Sequence, residues 1–161
     1  MKTLTLQITR ENFEYILTGE QKVEHRNVYL SNVKKYVEVN YNLSYEDGLP
    51  YAVPVKYDAL YLINGRRKDA PRLLVEVIDA EWVTFAKEDK KGITYLGYIE
   101  NGKDVFESQI WYHLGKVIKT ENVAEDFEFK FAGKVPYEYG IDDDYKPICH
   151  KSGDATMPNE L

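Results

Sequence analysis

From Tyr57 to Ile118 the chain is almost continuously β-prone, and turn signals rather than helix-length segments interrupt it. This argues against βαβ units, because parallel crossovers need a helix between their strands. Tyr57–Ile63 reads as one strand. Leu73–Phe85 reads as another, with a bend near Asp79–Glu81. Ile93–Ile99 and Val105–Ile118 flank Asn101-Gly102, the strongest hairpin signal in the chain, and Gly115 marks a bulge or bend in the second arm. Lys87–Gly92 reads as a charged loop.

One helix precedes this region. Lys2–Ile8 alternates as a first strand, with Leu4, Leu6 and Ile8 on one face. Thr9 then has the chemistry of an N-cap, Phe13, Ile16 and Leu17 recur at helical spacing, and Gly19 suits a left-handed stop. The spacing predicts a helix over Arg10–Thr18. Lys22–Arg26 follows as a short strand whose alternation puts Lys22, Glu24 and Arg26 on one face, and Val23 and His25 on the other. Asn27–Tyr36 is ambiguous and can hold a helical turn, and Tyr41–Pro54 reads as an irregular excursion. Phe127–Phe131 alternates like a last edge strand. The expected fold is α+β and mostly β: a small, partly open barrel with one short N-terminal helix and peripheral helical turns.

With 161 residues, one domain is expected, over 1–134, followed by an acidic tail over 135–161 packed on the body or on a neighbouring subunit. Residues 1–120 hold 17 Lys+Arg and 17 Asp+Glu; residues 121–161 hold 4 and 10, which accounts for the whole net charge of -6. A neutral body carries local basic patches without coating a long polyanion. Cys149 is the lone cysteine, which excludes an internal disulfide and fits a reducing compartment. No apolar run reaches the ~20 residues of a membrane span, so the expected location is cytoplasmic, with no membrane partner.

A carboxylate between two cations just past a helix end suits a small polar ligand, and it equally suits a surface ion-pair ladder. Arg66-Arg67-Lys68 follows the Asn64-Gly65 turn as the densest basic run, able to meet a few phosphates or simply to solubilise a loop. Among 14 tyrosines, Tyr29, Tyr41, Tyr45, Tyr51 and Tyr112 are candidate stacking platforms, whereas Trp82 and Trp111 are expected in the core. His25, His113 and His150 are too dispersed for a metal, and Cys149-His150 is adjacent rather than ligand-spaced. No metal, no cofactor and no glycine-rich phosphate loop is expected.

Three stretches together resemble the ASCH domain, a branch of the PUA-like β-barrel superfamily. The first is the helix ending in glycine followed by Gln21, Glu24 and Arg26, where Gln21 stands at the family's lysine position and a lysine is displaced to Lys22. The second is Tyr57–Ile63 with its Asn64-Gly65 turn, and the third is Tyr112–Ile118 with its Leu114-Gly115 pair. The resemblance covers roughly residues 1–120. It implies a cleft beside Gly19–Arg26 that binds RNA or a nucleotide-like molecule, with Gly19, Gln21, Lys22, Glu24, Arg26, Asn64, Arg66, Arg67 and Lys68 as ligand contacts. Some members hydrolyse an acyl group from a modified cytidine with a lysine, a threonine and a downstream glutamate. At the first two positions this chain has Gln21 and Glu24, which supply neither the amine nor the hydroxyl. An enzyme is therefore the alternative, with Glu24 as acid/base and Lys22 as the cation on a modified nucleoside or small amide. A further alternative is an interaction scaffold whose C-terminal tail clasps a second copy in a homodimer.

Overall fold

The computed structural model describes residues 1–44, 50–138 and 146–150. In chain order its elements are β1 (Thr3–Gln7), α1 (Arg10–Thr18), β2 (Val23–Val28), α2 (Val33–Tyr36), β3 (Val37–Ser44), β4 (Pro50–Pro54), β5 (Ala59–Ile63), β6 (Arg72–Asp89), β7 (Gly92–Tyr95), β8 (Gly97–Glu100), β9 (Lys103–Phe106), β10 (Ser108–Glu121) and β11 (Lys146–His150). The fold is mostly β with little helix, as expected. Strands pair in the order β1-β5-β6-β10-β2, and β6 also pairs with β7 and β11. β3–β4 and β8–β9 are separate ladders. The expected barrel is not closed: β1 and β2 end the path without pairing each other, and the spare length of β6 goes to β7 and β11 instead.

The chain divides into two compact units. The first comprises Met1–Glu24, Lys56–Asp79 and the described part of Tyr112–Tyr139. In it β1 runs parallel to β5 with Leu4 beside Leu60 and Leu6 beside Leu62, and β5 runs antiparallel to β6 with Leu60 beside Val75. Alternation buries Leu4, Leu6, Leu60, Leu62, Leu73 and Val75 on one side. Helix α1 has the expected boundaries. Thr9 accepts from the Asn12 N–H, and Gly19 stops the helix at φ 81°. Its buried stripe is Phe13, Tyr15 and Ile16, with the charged Glu14 beside them at 0% exposure.

Glu14 corrects one expectation. Its Oε1 accepts from the backbone N–H groups of Lys130, Phe131 and Ala132 at 2.7, 2.9 and 3.3 Å, and its Oε2 accepts from Arg10 Nε at 2.9 Å. Arg10 also donates to the Glu128 carbonyl at 2.8 Å and lies 4.0 Å from the Phe127 ring centroid. Phe127–Phe131 is therefore not an edge strand: α1 side chains, not a neighbouring strand, hold this segment's polar groups.

The second unit comprises His25–Val55, Ala80–Trp111 and, of Gly140–Leu161, the described strand β11. Tyr41–Pro54 is not wholly irregular, because β3 and β4 form an antiparallel ladder whose register shifts between Asn40 and Ser44. The ambiguous stretch before it contains α2. β6 continues to Asp89 and pairs with β7, which converts the expected Lys87–Gly92 loop into a strand end and a tight turn. The Asn101-Gly102 hairpin is present as β8–β9, with φ of 52° and 76° at the two turn residues. Its expected arms are each broken once: Leu96 donates to the Phe85 carbonyl, and Glu107 donates to the Leu96 carbonyl. Trp111 is buried against His25, ring centroids 5.2 Å apart, whereas Trp82 is half-buried. Part of the acidic tail is pinned here: β11 pairs antiparallel with β6, Ile148 opposite Thr84. The remaining tail positions 139–145 and 151–161, with Asp142–Asp144, lie outside the described residues, as does Tyr45.

Candidate functional site

The site starts where α1 stops. At Gly19 the chain enters the left-handed region, which a side chain would strain, and a Cβ there would come within 3.3 Å of Lys22 Nζ. Gly19 thus ends the helix and leaves room for Lys22 to fold back over its carboxyl end, where a cation is favoured by the helix dipole. The Gln21 N–H donates to the Tyr15 carbonyl at 3.0 Å, and the Leu114 N–H donates to the Lys22 carbonyl at 2.9 Å. These two bonds anchor the turn between α1 and β10.

That turn sends Gln21 inward, at 3% exposure. Its Nε2 donates to the Val23 carbonyl at 2.9 Å and to Glu24 Oε2 at 2.8 Å, and Glu24 is itself 3% exposed. Two acceptors at Nε2 determine which way the amide faces. The other end, Oε1, is buried and has no hydrogen-bond partner. An unmet buried acceptor costs about 1–3 kcal/mol and marks a place where a donor is missing.

Gln21 and Lys22 border a pocket of about 170 Å³ whose walls are Ile16, Leu17, Val75, Leu114 and Val117. Thr18, Gly19, Gly115 and Lys116 complete it. A cavity of about 150 Å³ is enough for a benzene ring, so this hollow takes one six-membered ring and its substituents. Lys22 and Lys116 are exposed and bring two ammonium groups to the opening. Thr18 is already occupied, its hydroxyl lying 3.1 Å from both the Glu14 carbonyl and Glu20 Oε1.

Sequence reading missed Glu76. A Cβ on Gly115 would collide with the Glu76 carboxylate and crowd its stem, so this glycine lets an acidic side chain lie across β10, on the sheet face opposite the pocket wall Val75. The signal was the glycine inside a strand; what approached it was not legible.

The remaining expected contacts are placed as follows. Glu24 joins Gln21, and Arg26 is half-buried on β2 in the second unit. Asn64 is spent on the fold: its Nδ2 donates to the Ile8 carbonyl at 3.0 Å and its N–H to the Pro71 carbonyl at 2.9 Å. Arg66, Arg67 and Lys68 are exposed on the β5–β6 loop, with Arg67 paired to Asp69 at 3.2 Å. Tyr29 is 43% exposed and sits edge-on to Tyr98, but Tyr112 is fully buried and is no platform.

Tyr15 and Tyr137 close the turn's other flank, with ring centroids 5.4 Å apart, and Tyr15 Oη donates to the Val135 carbonyl at 2.6 Å. Burial, and then the charge of Glu24, push the Tyr137 hydroxyl above its ordinary pKa. Among the described residues, no three His, Cys, Asp or Glu side chains gather as a metal site, and no helix is long and apolar enough to cross a membrane. Comparison with protein-family models, curated proteins and solved structures finds no match.

Proposed function

We propose that this is an ASCH-type, PUA-like domain that binds RNA or a nucleotide-sized ligand in the pocket between the end of α1 and β10. The observation that carries the reading is Gln21: an oriented, buried amide oxygen without a donor, on the border of a ring-sized hollow. A nucleobase with an exocyclic amino group or ring N–H supplies the missing donor. Lys22 and Lys116 at the opening suit the phosphate that accompanies it.

Titration of short single-stranded RNAs and free modified nucleosides at low salt tests this. Saturable binding is expected, weakened about tenfold in Gln21→Met, the value of one or two lost polar contacts. Arg26→Ala in parallel tests the family-implied role of that guanidinium. No binding of any of these molecules by the wild-type protein overturns the reading.

A further inference from the structure

Strand β1 ends the sheet path, and among the described residues its one strand neighbour is β5. The register runs from Thr3 beside Ala59 to Gln7 beside Ile63 without a slip, and the Ile8 N–H continues it by donating to the Ile63 carbonyl at 3.0 Å. In such a ladder alternate residues turn their N–H and C=O toward the neighbour. Ile8 sets the parity. Leu4, Leu6 and Ile8 bond β5, while Thr3, Thr5 and Gln7 turn their main-chain groups the other way, to the open edge. The side chains of Thr3, Thr5 and Gln7 are exposed, whereas Leu4 and Leu6 are buried.

An open edge is a template for another strand, and folded proteins guard it with charge, proline or a bulge. β1 has none of these: Thr-Leu-Thr-Leu-Gln is uncharged, proline-free and regular over five residues. The cations on either side of it are drawn off by their own chain. Lys2 Nζ lies 5.3 Å from the Tyr57 ring centroid, and Arg10 Nε pairs with Glu14 at 2.9 Å. The Gln7 amide is turned to the Ile63 and Gly65 carbonyls, 3.0 Å from each, and so leaves the edge uncovered.

The strand that matches this edge is β1 itself. Antiparallel pairing sets outward-turned residues against outward-turned residues. A two-fold axis at Thr5 does so for all three: Thr5 meets Thr5 of the second copy, and Thr3 meets its Gln7. An axis at Leu4 or Leu6 matches two residues instead of three. Each matched pair exchanges two main-chain bonds, up to about six in all. Threonine opposite threonine is a favourable cross-strand pair, and no charge faces a like charge across the axis. Leu4 and Leu6 of both copies fall on one side, so the buried face continues over the join. We propose that β1 pairs antiparallel with β1 of a second copy about a two-fold axis at Thr5, joining two sheets into one. A five-residue edge falls short of the about 1,200 Å² of a stable complex, so the dimer is a reversible one. The proposal is independent of the pocket beside Gln21 and of what that pocket takes.

The test is sedimentation of the full chain from about 1 µM to about 500 µM, with amide hydrogen exchange at both ends of the range. The mass should rise from one chain toward two. Exchange at the Thr3, Thr5 and Gln7 N–H groups should slow about tenfold at the high concentration, while Leu4, Leu6 and Ile8, already bonded to β5, stay protected at both. Thr5→Pro deletes an outward N–H and leaves the β5 ladder intact. Thr5→Lys keeps that N–H and sets two ammonium groups side by side at the axis. Each should move dimerisation to at least about tenfold higher concentration, and added salt should restore the lysine variant but not the proline one. A one-chain mass throughout overturns the proposal. So does a dimer whose three outward amides exchange no more slowly, or one that Thr5→Lys leaves unchanged, since the contact then lies on another surface. Thr5 is exposed, so Thr5→Lys decides the matter even if Thr5→Pro fails to fold.

Discussion

Two buried polar clusters, one on α1 at Glu14 and one in the turn just past its end at Gln21, are finished differently. At Glu14 the account closes: one oxygen takes three backbone N–H groups and the other takes Arg10. At Gln21 the nitrogen is doubly engaged while the oxygen faces no donor. Both side chains are essentially inaccessible, so burial alone does not separate structure from site. Completion does. A polar group inside a fold is either matched there, and holds the fold together, or left open, and is matched by something that arrives later.

The sharpest way to break that contrast is Glu14→Ala. It strands three amide groups and a guanidinium at once, and a loss of about 3 kcal/mol or more is expected in denaturant unfolding. The same carboxylate makes stability depend on acid. Burial raises its pKa, but the hydrogen bonds from Phe131, Arg10, Lys130 and Ala132 outweigh this and leave it below the ordinary 4.5. A depressed folded value means the stabilisation is complete above that point and is lost as pH falls beneath it. A melting series from pH 7 to pH 3 should therefore show a steeper decline below about 4.5 in the wild type than in Glu14→Gln.

Gly115→Ala comes next. The added methyl group meets the Glu76 carboxylate and stem, and the expected cost is about 1–3 kcal/mol, measured by the same unfolding assay. Gln21→Met closes the series: it removes the orphaned oxygen but takes a donor from the Val23 carbonyl and from Glu24, so a loss of about 1–2 kcal/mol is expected while ligand affinity falls. If Gln21→Met destabilises as much as Glu14→Ala, the open cluster is structural after all.

Helix α1 was legible residue by residue, because cap, stripe and stop are all local and Thr9, Phe13, Ile16 and Gly19 sit at their proper spacings. The Asn101-Gly102 hairpin was legible for the same reason. Long-range partners were not. Phe127–Phe131 alternates like a strand, yet its neighbour is a carboxylate from the far end of the chain. β3 and β4 were hidden by Tyr, Asn, Gly and Pro, whose turn chemistry outweighed the ladder they form. At the site, alternation grouped Lys22 with Glu24 and Arg26. The strand begins only at Val23, so Lys22 falls in the preceding turn and Gln21 becomes Glu24's partner. Glu76 left no trace except a glycine on another strand.

The Glu14 grip also has a history within each molecule. Its amide partners are made 116 residues after it, which at ribosomal speed is on the order of ten seconds. Throughout that interval the nascent helix carries an acid whose three amide partners do not yet exist, so α1 is among the last elements to reach its native surroundings.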